Sequence, residues 1–393
     1  MRLLRIGLLA VAVAPFAAAA GTRAALPSGT CAPPATVVAP SLPAAVTVRT
    51  SCGAFRIGRD GRVERISPDP QPVPRGTGWW PSTGVWARTV RGRLVVGRWR
   101  RTLWHSSRRY PRDGDVGGIV LDGDIVAFSY GSRASRLYVA RLGGRERLVA
   151  RGEIPLGRTR DGFYTRRVRG GRLLLRRSDG SLHAPIAHGV GTYATGPAGT
   201  LLFVAHDGLF RARGAHVYRI ADLSRLGLTA GRAFRLLTLG HLIGLENAHR
   251  LVVLRADGTL FARTVLPFAR NRIEFVSGGP AAGDRAAAVA FAVIRGDRAG
   301  DGQVMQRGVE TIYLLRSGSR VALPVHAMRT WFDVCGHAAD LSWHGDWLLY
   351  RATGGSTALI DTGSGRTIGL SSIVRRLPGF TAGGTGFFGA SWS

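Results

Sequence analysis

Short apolar runs of four to seven residues return about every forty residues along this chain, each broken by a glycine-bearing turn. That period limits the fold more than any other feature. LLLRRSDGSLHAP (173–185), LLFVAHDGLFRAR (201–213), LVVLRADGTLFAR (251–263) and FRIGRDGRVERI (55–66) share one plan. Each is an apolar strand, a polar residue, Asp-Gly, and a second, alternating strand. Asp and Gly tolerate the backbone angles that a tight hairpin demands. DIVAFSYGSRASRLYVARLGGRERLVA (124–150) and DWLLYRATGGSTALIDTGSGRTIGL (346–370) each read as three strands. Helical periodicity is scarce, and ADLSRLGL (221–228) is at most one or two turns.

The second strand of each unit begins near Val85, Ile125, Phe163, Leu201, Leu242, Ala287 and Leu348, with gaps of 40, 38, 38, 41, 45 and 61 residues. The last gap holds RGDRAGDGQVMQRGVE (295–310), read as a long insertion. TYATG (192–196) competes for the second strand of the Leu201 unit. A repeat of about 40–45 residues with about four strands is the mark of a β-propeller. Residues 46–66 and the tail GFFGASWS remain over and together could build one more blade. The expected fold is therefore all-β: a propeller of seven or eight four-stranded blades over 46–393, closed by pairing of the N- and C-terminal strands. Such closure removes exposed sheet edges. An open β-sandwich pair is the structural alternative.

The start of the chain reads as an export signal. Arg2 and Arg5 precede an apolar run from Ile6 to about Phe16, and Ala18–Ala20 offer a small-residue cleavage site. Residues 1–20 are expected to be removed, 21–45 to form a Pro/Ala-rich flexible segment, and the product to be secreted or held in the cell envelope. The apolar run is shorter than the ~20 residues of a spanning helix, so no transmembrane span is expected after cleavage. Export suits a disulfide. Cys31 and Cys52 are the first choice of pair, and a bond from either to Cys335 is the rival.

The formal charge is +30, and every cationic residue among the 54 is Arg; Lys is absent. A P-loop lysine and a Schiff-base lysine are thereby excluded. Arg is spread along the whole chain, as in FYTRRVRGGRLLLRRSDG, with only short denser groups at 98–101 and 108–112. That spread argues against a specific nucleic-acid site and for contact with anionic envelope polymer or a protein.

TWFDVCGHAADLSWHGDW (330–347) gathers one Cys, two His, three Asp and three of the nine Trp. Cys335, His337, Asp340, His344 and Asp346 are conceivable metal ligands. If 339–345 is a strand, Asp340, Ser342 and His344 share one face and Leu341 and Trp343 the other. No tetrahedral set follows from that spacing. GGTGFFG (383–389) matches a dinucleotide fingerprint in letters, but the chain ends at Ser393 without the helix such a site needs. RDGDVGG (112–118) and RGDRAGDG (295–302) lack the full ligand series of a calcium loop. Glu246, Glu274 and Glu310 are the carboxylates open to acid–base work. No metal, cofactor or catalytic residue is assigned.

GHAADLSWHGDWLLYRATGGSTALID (336–361) resembles a WD-repeat blade: Gly336-His337, an alternating strand with Leu341 and Trp343, a turn at Gly345, then DWLLY and STALID. IVAFSYGSRASRLYVARLGG (125–144) looks like the exported TolB-type blades of bacteria. Gly355 and Ile360-Asp361 stand where WD-repeat blades hold an Asp and a Trp-Asp pair. The resemblance implies a propeller and no named subfamily.

The expected function is a non-enzymatic, monomeric binding scaffold for a protein, a wall polymer or a small ligand. The alternative is a propeller-type hydrolase or lyase acting on polysaccharide or peptide. Propellers bind on the faces of the disc, so WWPSTGVW (79–86) with Trp79, Trp80 and Trp86, and the 295–310 segment with Arg298, Asp301 and Gln303, are the candidate binding-face residues.

Overall fold

The computed structural model describes residues 40–50, 52–67, 78–80, 85–90, 93–98, 101–109, 116–131, 135–196, 199–228, 235–239, 241–247, 250–265, 273–282, 288–296, 305–333, 339–352, 356–380 and 387–392. The expected export signal, the Pro/Ala-rich segment to residue 39, Cys31, Cys335 and His337 lie outside these residues.

Among the described residues, thirty-two strands form eight four-stranded antiparallel sheets, the blades of an eight-bladed propeller. Blades 2 to 8 each consist of four consecutive strands. Blade 1 is composite: Val46–Thr50, Gly53–Ile57 and Val63–Ser67 are joined by the last strand, Phe387–Trp392. The closing ladder sets Val46 opposite Trp392 and Val48 opposite Ala390. The Trp392 indole N–H donates to the Ser342 carbonyl of blade 8 at 3.2 Å, which ties the closure to the neighbouring blade.

The apolar runs are continuous because both faces of each blade are covered. Blade 6 shows the division. Leu242, Leu251 and Val253 enter the core shared with blade 7, where they meet Phe291 and Val293. Ile243, Leu245, Val252 and Leu254 enter the core shared with blade 5, where they meet Leu202 and Val204. Similar cores lie between blades 2 and 3, 3 and 4, 4 and 5, 7 and 8, and 8 and 1. A fully buried side chain such as Phe291 contributes roughly 1.5–3 kcal/mol. Where first strands meet, bulk is excluded: a Cβ on Gly118 of blade 3 would lie 2.5 Å from the Pro155 carbonyl oxygen of blade 4.

Arginines act as staples between blades. Arg147 of blade 3 donates to the Asp179 carbonyl of blade 4 at 2.6 Å, and Arg211 of blade 5 to the Ala256 carbonyl of blade 6 at 2.9 Å. Arg255 of blade 6 reaches the Ser317 hydroxyl of blade 7 at 3.3 Å, and Arg316 of blade 7 the Thr362 carbonyl of blade 8 at 3.4 Å. In each case the acceptor is the turn between the third and fourth strands of the next blade.

One expectation changes and one alternative is resolved. Part of the 295–310 segment is strand: Ala288–Gly296 and Met305–Arg316 pair as far as Gly296 opposite Gly308. The alternation in QRGVETIYLL lengthens blade 7, so only 297–304 is left between its strands. TYATG belongs to a first strand, Val190–Thr195, with Thr200–Ala205 following as the second. In 221–228 only a 3-10 turn forms, Ser224–Leu226. An unforeseen helix, Ser371–Arg376, buries Ile373 and Val374 against the core between blades 8 and 1. Among the described residues no helix is long and apolar enough to cross a membrane.

Candidate functional site

Antiparallel order gives each blade two unlike ends. Links between blades gather at one end with the turns between second and third strands. The other two hairpin turns lie at the opposite end, and there several aspartates are consumed by the backbone. In the Asp-Gly turns, Asp60, Asp179 and Asp257 accept the N–H two residues on, from Arg62 at 3.1 Å, Ser181 at 2.8 Å and Thr259 at 2.9 Å. Gly61, Gly180 and Gly258 follow with φ of 78°, 86° and 89°, the left-handed region where a side chain is strained. Asp361 does the same for Gly363 at 2.9 Å. Hydrogen bonds from Ser181, Thr259 and Ser364 hold the carboxyls of Asp179, Asp257 and Asp361 below the usual aspartate range.

The link end of blades 3 and 4 differs. The Gly152 N–H donates to the Ser135 carbonyl, and the Val168 N–H to the Gly152 carbonyl at 2.8 Å. These bonds draw three chain segments together, and each carries exposed arginine. Arg136 and Arg151 stand opposite one another in the blade 3 ladder. Arg169 and Arg172 flank the turn of blade 4 at Gly170-Gly171, and the Arg172 Nε lies 3.4 Å from His188 Nδ1. Among the described residues no carboxylate lies within ion-pair distance of Arg136, Arg151, Arg169 or Arg172.

The carboxylate of this region, Glu153, is buried and engaged. It accepts from Arg176 Nε at 2.8 Å, Arg176 Nη2 at 2.9 Å and Thr165 Oγ1 at 2.9 Å, with Arg167 Nε at 3.4 Å. Burial alone would raise this carboxyl, but the hydrogen bonds and charge of Arg176, with Thr165 and Arg167, keep it below the usual glutamate range. Glu153 fixes the interior of blade 4 and is not spent on Arg136, Arg151, Arg169 or Arg172.

The other candidate residues fall elsewhere. Trp79 and Trp80 lie in the first strand of blade 2, Gly78–Trp80, and Trp86 in the second, Val85–Val90, with Trp79 opposite Trp86. Their side chains lie outside the described part, as do Arg298, Asp301 and Gln303 altogether. In 330–347, Ala339–His344 is the first strand of blade 8 and Trp347–Ala352 the second. Leu341 and Trp343 pack on the core between blades 7 and 8, and Trp347 on that between blades 8 and 1. The His344 ring sits 5.2 Å from that of Trp392. Among the described residues no three His, Cys, Asp or Glu side chains gather as metal ligands. Cys52 is buried, and the choice between Cys31 and Cys335 lies outside the described residues. Gly389 of the glycine motif lies in the closing strand opposite Arg49.

Of the three glutamates, Glu274 is in the first strand of blade 7, and Glu310 is buried where it accepts the Tyr350 hydroxyl. Glu246 ends the second strand of blade 6. Burial pushes its carboxyl up to about 7, against the pull of Arg235, whose Nη1 lies 3.7 Å from Oε2.

Sequence reasoning missed the Arg136, Arg151, Arg169 and Arg172 group. RRVRGGR (166–172) was its one visible signal, hidden among many similar runs.

No protein-family model matches the chain, and no curated protein matches it. Among solved structures, the computationally designed Ika8 protein aligns at 10% identity over 82% of this chain and 98% of its own, with a TM-score of 0.45. BamB from Moraxella catarrhalis aligns at 14% identity over 80% and 92%, TM-score 0.35. An oligogalacturonate lyase in complex with manganese aligns at 12% identity over 74% and 82%, TM-score 0.35.

Proposed function

We propose that this chain is an exported, non-enzymatic propeller that holds an anionic cell-envelope polymer on the link end of blades 3 and 4. The observation that carries the reading is the group Arg136, Arg151, Arg169 and Arg172, brought together by the Ser135–Gly152–Val168 hydrogen bonds and, among the described residues, without a carboxylate in ion-pair distance. At the opposite end the arginines serve as staples and the aspartates serve the turns. A guanidinium matches phosphate and carboxylate geometry and stays charged at any envelope pH. With 54 cationic against 24 acidic residues, the chain carries a formal net charge of +30.

Co-sedimentation with polygalacturonate and with neutral dextran tests the reading. Binding to the acidic polymer should weaken steeply as salt rises, with dextran inert. Charge reversal of the four arginines to Glu should abolish it. Equal retention by the reversed variant refutes the assignment. Export itself is tested by N-terminal sequencing of the secreted product, expected to begin at Gly21.

One observation favours an enzyme as the second reading. A carboxyl held near 7 is poised to give and take protons at neutral pH, and Glu246 has that character. Release of reducing ends from envelope polysaccharide, lost in Glu246→Gln, would support a hydrolase or lyase.

A further inference from the structure

A cleft of about 480 Å³ lies at the rim of the disc, between the outer strands of blade 2 and a turn of blade 3. Its walls are pinned at two points. The Trp104 indole N–H donates to the Gly144 carbonyl at 2.9 Å. The Glu146 carboxylate accepts from the Ser107 N–H at 2.9 Å, the Ser107 hydroxyl at 2.9 Å and the Arg108 N–H at 2.7 Å. Both Glu146 oxygens are thereby spent on the blade 2 chain, and the residue is almost wholly buried. Leu103 and Trp104 supply apolar lining, and Thr102 and His105 add polar groups. Arg93 enters from blade 2 and Arg145 from blade 3, both exposed. Among the described residues neither has a carboxylate within ion-pair distance.

The geometry points to a binding site for a sugar-sized phosphomonoester. The volume falls within the range of small-ligand sites. Two lining arginines, one from each blade, suit a tetrahedral phosphate, which can turn different oxygens to each; a carboxylate offers two coplanar oxygens that one arginine fork occupies. The polar and apolar lining together suit a hydroxyl-bearing ring. Walls fixed before the ligand arrives reduce the ordering cost of binding. This site shares no residue with the basic face of blades 3 and 4, and stands whether or not that face binds polymer.

Isothermal titration of the full chain with glucose 1-phosphate, glucose and inorganic phosphate tests it. Saturable binding of glucose 1-phosphate is expected, with glucose and phosphate each weaker. Arg93→Gln and Arg145→Gln should each weaken binding at least about tenfold, the loss of a charged hydrogen bond. Arg172→Gln, on the basic face, should leave it unchanged. Both cleft arginines are exposed, so melting temperatures should hold. The inference is overturned if glucose 1-phosphate does not bind, if glucose binds as well, or if the cleft variants bind like the parent.

Discussion

Replacing Glu246 by Gln should make the propeller more stable at alkaline pH and leave it nearly unchanged at acid pH. The Glu246 side chain is 13% exposed, and Oε2 has no hydrogen-bond partner among the described residues. Burial raises its carboxyl from 4.5 to about 7 in the folded chain. The folded state therefore holds a proton that the unfolded chain releases. Stability from this group is full below the unfolded value and is lost as pH rises through 7. The shift sets a ceiling of about 3 kcal/mol on the loss, at 1.36 kcal/mol per unit. Gln keeps the shape and cannot ionise. Urea unfolding followed by tryptophan fluorescence at pH 5 and pH 8.5 should show the variant gaining about 2–3 kcal/mol on the parent between the two conditions. All other titrating groups are common to both proteins and cancel in the difference. A gap that does not change with pH would refute the reasoning, because it would mean that Glu246 ionises in the folded chain as it does in water.

Glu153→Ala should cost about 3–5 kcal/mol, since it leaves the buried Arg176 guanidinium unpaired; adding Arg176→Met should recover part of the loss, read as a shift in the urea midpoint. Gly258→Ala should destabilise by more than about 1 kcal/mol, because φ is +89° and the new Cβ would meet the Ile220 carbonyl oxygen at 2.2 Å; thermal melting checks it. Truncation after Gly386 removes the closing strand and bares the edge carrying Val46 and Val48, so size-exclusion chromatography should show aggregates that the full chain does not form. Peptide mapping without reductant should find one disulfide, with Cys52 joined to Cys31 or Cys335.

Several elements were legible because their causes are local. The expected second strands at Val85, Ile125, Phe163, Leu201, Leu242, Ala287 and Leu348 each fall at or within a residue of an observed strand start. The Asp-Gly turns between third and fourth strands were legible for a local reason too: the aspartate caps its own turn and glycine takes the left-handed angle, with no help from distant residues. The segment 295–310 was harder, since its charges and glycines look like a loop and only the partner strand shows that 305–310 continues the ladder. The helix Ser371–Arg376 is six residues long and is held by burial of Ile373 and Val374, a tertiary cause. Of the cysteine, histidine and aspartate stretch at 330–347, the described residues proved to be blade scaffold, with Trp343 and Trp347 packing between blades.

The sequence by itself determined the all-β class, the period of the blades and the pairing of the chain ends, because strand alternation and turn chemistry act over a few residues. It left seven or eight blades open, and it could not say which arginines matter. Arg136, Arg151 and Arg169 are separated by 15 and 18 residues in a chain where arginine recurs everywhere. Only the packing of blades decides that one arginine staples a neighbouring turn, another pairs with a buried glutamate, and a few at one end of blades 3 and 4 meet no opposite charge among the described residues. Electrostatic surplus depends on distance through space, and distance through space is set by the closed ring.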